Sequence, residues 1–99
     1  MNKNDRFRNI ANSLADLHEK KNHDYGDSFG KTFQSLGIIS AITRISDKYN
    51  RIVSLATTKE QKVKDEAIED TLKDMASYCI MTLIELGYGV EESTSKGHD

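Results

Sequence analysis

The stretch Lys20-Lys21-Asn22-His23-Asp24-Tyr25-Gly26-Asp27-Ser28-Phe29 gathers cations, an imidazole, carboxylates and two aromatic rings into ten consecutive residues. Core packing has no use for such a mixture, whereas a ligand does. Lys21, His23, Asp24, Tyr25 and Phe29 form a set able to stack on a nucleobase and hydrogen-bond its edge. Stacking of one base on an aromatic ring is worth about 1 to 3 kcal/mol in single-stranded nucleic-acid binding. The plain alternative is that Tyr25 and Phe29 plug the end of a helical bundle while Gly26 makes the turn, with His23 simply exposed.

Two further groups of residues carry charge at helical spacing. Ser40, Arg44, Asp47 and Arg51 fall on one side of a helix, with Lys48 flanking them. Arginine suits bidentate phosphate contact and lysine supplies a point charge, so the row can hold a phosphorylated ligand. The competing reading is a solvated face, or ion pairs between antiparallel helices that bring Arg51 near Glu66 and Arg44 near Asp74. Downstream, Glu66, Asp70 and Asp74 recur every four residues. Such carboxylates repel one another by about 0.2–0.5 kcal/mol per pair unless a cation or the basic row neutralises them. Magnesium usually takes one or two carboxylates plus phosphate oxygens, so Glu66, Asp70 and Asp74 could present oxygens to such a cation. Acids also suit a helix N-terminus, which covers Asp65 and Glu66 but not Asp74, well inside its helix. No nucleophilic triad, phosphate-binding glycine loop or Cys/His zinc pattern is present, and Cys79 reads as a small buried hydrophobe.

Helices must position these groups. Phe7, Ile10, Leu14 and Leu17 set a first helix from Asn4 or Asp5, which would cap it, to Lys21. Gly26, Gly30 and Gly37 mark the next segment as loop or broken turn up to Leu36. A second helix follows over Leu36 to Ala56, with Ile38, Ile42, Ile45, Tyr49, Ile52 and Ala56 on its core face. Thr58 and Gln61 have capping-box spacing for a third helix that ends before Gly87. At about 1.5 Å per residue that helix would be about 43 Å long, so a break or irregular start near Val63 to Asp65 is expected. Its core face is Ile68, Leu72, Met75, Cys79, Leu83 and Leu86. Ile80, Met81 and Ile84 add a second apolar face and leave Thr82 and Glu85 as a narrow polar strip, which calls for a neighbouring subunit. Residues 88 to 99 read as a flexible tail after a single helical domain, 1 to 87.

Composition bounds the function. Ninety-nine residues without proline or tryptophan, 30% charged and 36% hydrophobic, describe one helical domain that buries a limited core alone and gains from forming a homo-oligomer. A formal net charge of -2 argues against general nucleic-acid binding, because no domain-wide basic surface exists. One cysteine and an N-terminus without an apolar signal segment point to the cytoplasm. No apolar run approaches the roughly 20 residues of a membrane span, so no membrane association is expected.

The blocks Lys21-Asn22-His23-Asp24-Tyr25-Gly26, Arg44-Ile45-Ser46-Asp47-Lys48-Tyr49-Asn50-Arg51 and Asp65 through Tyr78 are similar to the nucleotide-modification-associated domain family of small phage and prophage proteins. That family resembles in turn the all-α MazG-like nucleoside triphosphate pyrophosphatases. The resemblance implies a helical oligomer with an acidic, magnesium-dependent nucleotide site. MazG-like enzymes place a Glu-x-x-Glu pair on one helix and a Glu-x-x-Asp pair on the next. This chain has Arg44-x-x-Asp47 at the first and Thr71-x-x-Asp74 at the second, so only Asp47 and Asp74 carry over, with Asp70 as a substitute.

The expectation is therefore an all-α bundle of three main helices that binds a phosphorylated nucleotide or nucleotide-derived signal. Binding without turnover, hence sequestration in a phage setting, leads. The alternative is a magnesium-dependent pyrophosphatase using Asp47, Asp70 and Asp74 on the metal and Arg44, Lys48 and Arg51 on the phosphates. A helical adaptor whose charged faces merely pair is the third reading.

Overall fold

Gly26 and Gly37 set the punctuation of the N-terminal half. Each has a positive φ, 73° and 78°, that a residue with a Cβ rarely adopts, and each stops a helix by donating its N–H to the carbonyl four residues back. In the computed structural model, which describes residues 1–58 and 64–91, four helices result: α1 (Lys3–Tyr25), α2 (Ser28–Leu36), α3 (Ile38–Thr57) and α4 (Lys64–Glu85). The described residues are all-helical, as expected.

Two expectations fail at this point. The first helix does not end at Lys21 but continues through the polar stretch to Tyr25, because nothing before Gly26 forces the chain out of helical geometry. It also starts earlier, with Asn2 as its cap: the Asn2 side chain accepts from the Asp5 N–H at 2.8 Å. The segment read as loop up to Leu36 is α2. Its Gly30 lies in the first helical turn, where the Asp27 carboxylate accepts from the Gly30 N–H at 3.0 Å. A Cβ on Gly30 would collide with that carboxylate, so this glycine serves a cap and does not break the helix. Gly37 is at once the last cap of α2 and the first of α3, its carbonyl accepting from the Ser40 N–H and hydroxyl.

α3 and α4 carry most of the tertiary packing. They are antiparallel, since Arg44 meets Tyr78 while Lys48, one turn on, meets Asp74, one turn back. Their meeting faces differ from those expected. On α3 the inward row is Ala41, fully buried, with Ile45, Lys48, Ile52 and Leu55 partly so, which is about one residue away from the expected seam. On α4 the deepest side chains are Thr71 and Thr82, with Asp74, Met75, Tyr78 and Glu85 partly buried beside them. The strip expected to face water, Thr82 and Glu85, is turned inward. Leu72, Leu83, Leu86 and Cys79, expected in the core, are exposed. Threonine is suited to this seam because its hydroxyl is satisfied inside its own helix: Thr71 donates to Ala67 O and Thr82 to Tyr78 O, both at 2.6 Å. The methyl group remains for packing, and small residues let the helix axes approach.

α2 closes one end of the hairpin. Phe29 is buried against Tyr78, with ring centroids 5.9 Å apart and planes 24° from parallel. α1 lies across α4 and buries only Leu14, so Phe7, Ile10 and Leu17 of its seam stay exposed. α4 ends as expected at Gly87, φ 97°, where Gly87 N–H reaches Ile84 O and Tyr88 N–H reaches Leu83 O, a Schellman cap. Among the described residues α4 begins at Lys64, and Val63 of the expected break or irregular start near Val63 to Asp65 lies outside them. Thr58 is the C-cap of α3, while Gln61 of the expected capping box and residues 92 to 99 of the expected tail lie outside the described residues, and residues 88 to 91 are exposed without regular structure. No helix of the described residues is long and apolar enough to cross a membrane.

Candidate functional site

The last two turns of α1 become one wall of a cavity because α1 runs on to Tyr25. His18, Lys21, Asn22 and Tyr25 then share one helical face by three-four spacing. Facing them are Phe29 from the start of α2, Arg44 from α3, and Asp74 and Tyr78 from α4. Together they enclose a cleft of about 200 Å³.

Its chemistry is that of an aromatic slot with a cationic lip. The Arg44 guanidinium carbon stands 5.7 Å from the centre of the Tyr78 ring, and Nη1 donates to the Tyr78 hydroxyl at 3.4 Å. A guanidinium held against a ring keeps most of its donors free for a partner, and its position is set before any ligand arrives. One turn along α3, Lys48 Nζ donates to Asp74 Oδ2 at 3.2 Å; both side chains are partly exposed, at 27% and 39%. Asp74 is shared with a second, more open trough of about 510 Å³, whose walls are Lys48 and Arg51 on one side and Glu66, Asp70, Thr71 and Asp74 on the other. The aromatic cleft and the charged trough thus adjoin at Asp74.

Of the residues singled out in the sequence, Lys21, Tyr25, Phe29 and Arg44 line the cleft, and Lys48, Arg51, Asp70 and Asp74 line the trough. Of the expected antiparallel neighbours, Arg51 and Glu66 line the trough together and Arg44 and Asp74 line the cleft together, while the α3–α4 ion pair among the described residues is Lys48 with Asp74. His23 and Asp24 line neither space. They sit on the outer side of the last turn of α1, with His23 Nδ1 3.3 Å from Asp24 Oδ1 and the imidazole 88% exposed. Asp47 is exposed on α3 and lines neither space. Among the described residues no three His, Cys, Asp or Glu side chains are grouped closely enough to hold a metal ion. Within this chain Asp70 and Asp74 share a wall without Asp47, and the Lys48 ammonium already occupies Asp74.

Sequence reasoning passed over His18 and Tyr78. The signal was there: His18 is three and seven residues before Lys21 and Tyr25, and Tyr78 is one turn after Asp74. Tyr25 joins His18 and Lys21 on one face only because α1 continues past Lys21, whereas Tyr78 depends on which face of α4 turns inward.

Neither the curated proteins nor the solved structures hold a significant match to the chain. A family model does match, over residues 21–86, a span that holds most of the cleft and all of the trough. By that match the chain belongs to the family described as nucleotide modification associated domain 1.

Proposed function

We propose that this protein binds a phosphorylated nucleotide, or a signal molecule derived from one, and holds it without turnover. The observation that carries the reading is the meeting of the aromatic cleft and the charged trough at Asp74. A cavity of about 150 Å³ accepts a benzene ring. The cleft, at about 200 Å³, therefore has room for one ring system and not for a whole nucleotide. A base seated between Tyr25 and the Phe29–Tyr78 pair would find polar edges on Asn22, Ser28 and Ser77. Its phosphates would then extend past Arg44 toward Lys48 and Arg51. Membership in a family named for association with nucleotide modification agrees with that ligand class.

The same geometry supports sequestration over turnover. The cations are pre-positioned by Tyr78 and Asp74, which favours holding an anion, while the acidic residues do not form a metal cage within the described part of the chain. One observation favours the alternative of a magnesium-dependent nucleoside triphosphate pyrophosphatase: Glu66, Asp70 and Asp74 line one wall of the trough opposite two bases. Calorimetry with nucleoside mono-, di- and triphosphates, followed by chromatography of the recovered ligand, tests the proposal. Heat of binding with the ligand returned intact supports it. Absence of binding across the panel overturns it, and release of monophosphate and pyrophosphate replaces it with the hydrolase.

In this reading the chain works as a homo-oligomer. Ile80, Leu83, Ile84 and Leu86 near the end of α4 are each about half exposed, and a second copy is the simplest cover for so much apolar surface next to the site.

A further inference from the structure

The N-terminal turns of α1 reach past α4 with every side chain from Met1 to Ile10 exposed. Phe7 is 75% and Ile10 56% exposed, although they belong to the same apolar seam as the buried Leu14. The first two turns of α1, Lys3 to Ile10, thus leave an apolar seam largely exposed among the described residues. Beside this overhang, α1 and the first half of α4 diverge and leave an open groove of about 650 Å³. Ile10, Leu14, Ile68, Leu72 and Ala76 form its apolar floor.

The charges on the two features are opposite. The overhang carries Lys3, Arg6 and Arg8 against the single acid Asp5. None of the three bases makes an ion pair among the described residues. The α4 side of the groove carries two acids, Asp65 and Glu69, while Glu66 and Asp70 face the trough. The base there, Lys73, is already held by Glu69 at 2.9 Å, which raises its pKa. A basic apolar arm therefore lies next to an acidic apolar groove on one surface, and Ile10 belongs to both.

We propose that the groove receives the α1 overhang of a second copy of this chain, each copy inserting Phe7 and Ile10 into the other's groove about a two-fold axis beside Ile10. Self-complementary neighbours of this kind close as a dimer and do not extend into a fibre. The exchange uses a different surface from the C-terminal end of α4 and does not depend on the nucleotide reading.

The test places a photo-crosslinker where the arm would enter. Phe7 is replaced by p-benzoylphenylalanine in unlabelled chains. These are mixed through denaturant with ¹⁵N-labelled chains, refolded and irradiated, and the adducts are mapped by mass spectrometry. The expected adducts join Phe7 of one isotope to residues 65–76 of the other. Arg6→Glu with Arg8→Glu in the photo-reactive chain should abolish them, and Asp65→Lys with Glu69→Lys in the labelled chain should restore them, circular dichroism showing unchanged helix in every variant. Adducts confined to the same chain, adducts to another region of the partner, or adducts insensitive to the charge reversals would each overturn the proposal. Since no nucleotide is present, a failure of nucleotide binding leaves the result intact.

Discussion

Asp74→Asn separates the two uses of this residue because they predict changes of opposite sign. In the structure the Asp74 carboxylate neutralises Lys48 at 3.2 Å and stands where the aromatic cleft meets the charged trough. If Asp74 is a counter-ion for a cation meant for phosphate, asparagine keeps the shape, frees the ammonium and removes a negative charge from the path of a polyanion. With both partners open to solvent, the dielectric near the pair is closer to that of water than to that of a dry interior. Two unit charges about 4 Å apart then interact by about 1 kcal/mol. Relief of one such repulsion corresponds to about a fivefold gain in affinity for a nucleoside triphosphate. Loss of the partly exposed ion pair should cost the fold only about 0.2–1 kcal/mol. Titration calorimetry of the two proteins at low and at moderate salt, with a chelator present, reads the affinity; a thermal melt reads the fold. The gain should shrink as salt rises, because the trough is open and the Debye length falls to about 8 Å at physiological ionic strength. An affinity that instead drops in the variant, with the melt unchanged, would refute this reasoning and make Asp74 a direct contact to the ligand or to a cation the ligand brings.

Arg44→Ala should weaken nucleotide binding about tenfold or more, since a charged hydrogen bond contributes about 1.5–3 kcal/mol; Arg44→Lys should recover little, because only the planar guanidinium can lie against Tyr78, and calorimetry of both variants checks the pair. His23→Ala should leave the affinity unchanged by the same assay, its imidazole being on the outer side of α1. Gly30→Ala should lower the melting temperature by displacing the Asp27 cap, at a cost of about 1 kcal/mol. Ile80→Asp combined with Ile84→Asp should lower the mass read by light scattering, and an unchanged mass would remove the end of α4 from any interface.

The three long helices were legible because their three-four spacing persists over several turns, and the antiparallel order of charges on α3 and α4 followed from it. α2 was hidden by its glycines, two of which end helices while the third sits under a capping carboxylate. Yet Phe29, Phe33 and Leu36 already had helical spacing. The faces of α4 were misjudged for a different reason. Apolar residues run around much of that helix, so hydropathy could not select the inward side. The choice fell to Thr71 and Thr82, whose hydroxyls are satisfied within the helix and whose small size lets α3 approach. Of the candidate site, the basic row and the stretch ending at Phe29 were visible as residue types. That His23 and Asp24 would turn outward while Tyr25 turned toward the cleft depended on α1 continuing as a helix up to Gly26, whereas Tyr78 sits on α4, whose inward face hydropathy could not select.

Gly37 gives the molecule a joint without slack. One residue ends α2 through its N–H and begins α3 through its carbonyl, so the rotational phase of one helix is geared to the other. Each residue advances a helix by about 100°, the angle that follows from 3.6 residues per turn. A single insertion at this joint would swing Arg44, Lys48 and Arg51 a quarter turn away from Asp74 and Tyr78. Such a chain would keep its helices while its site was dismantled, a loss of function with no signature of unfolding.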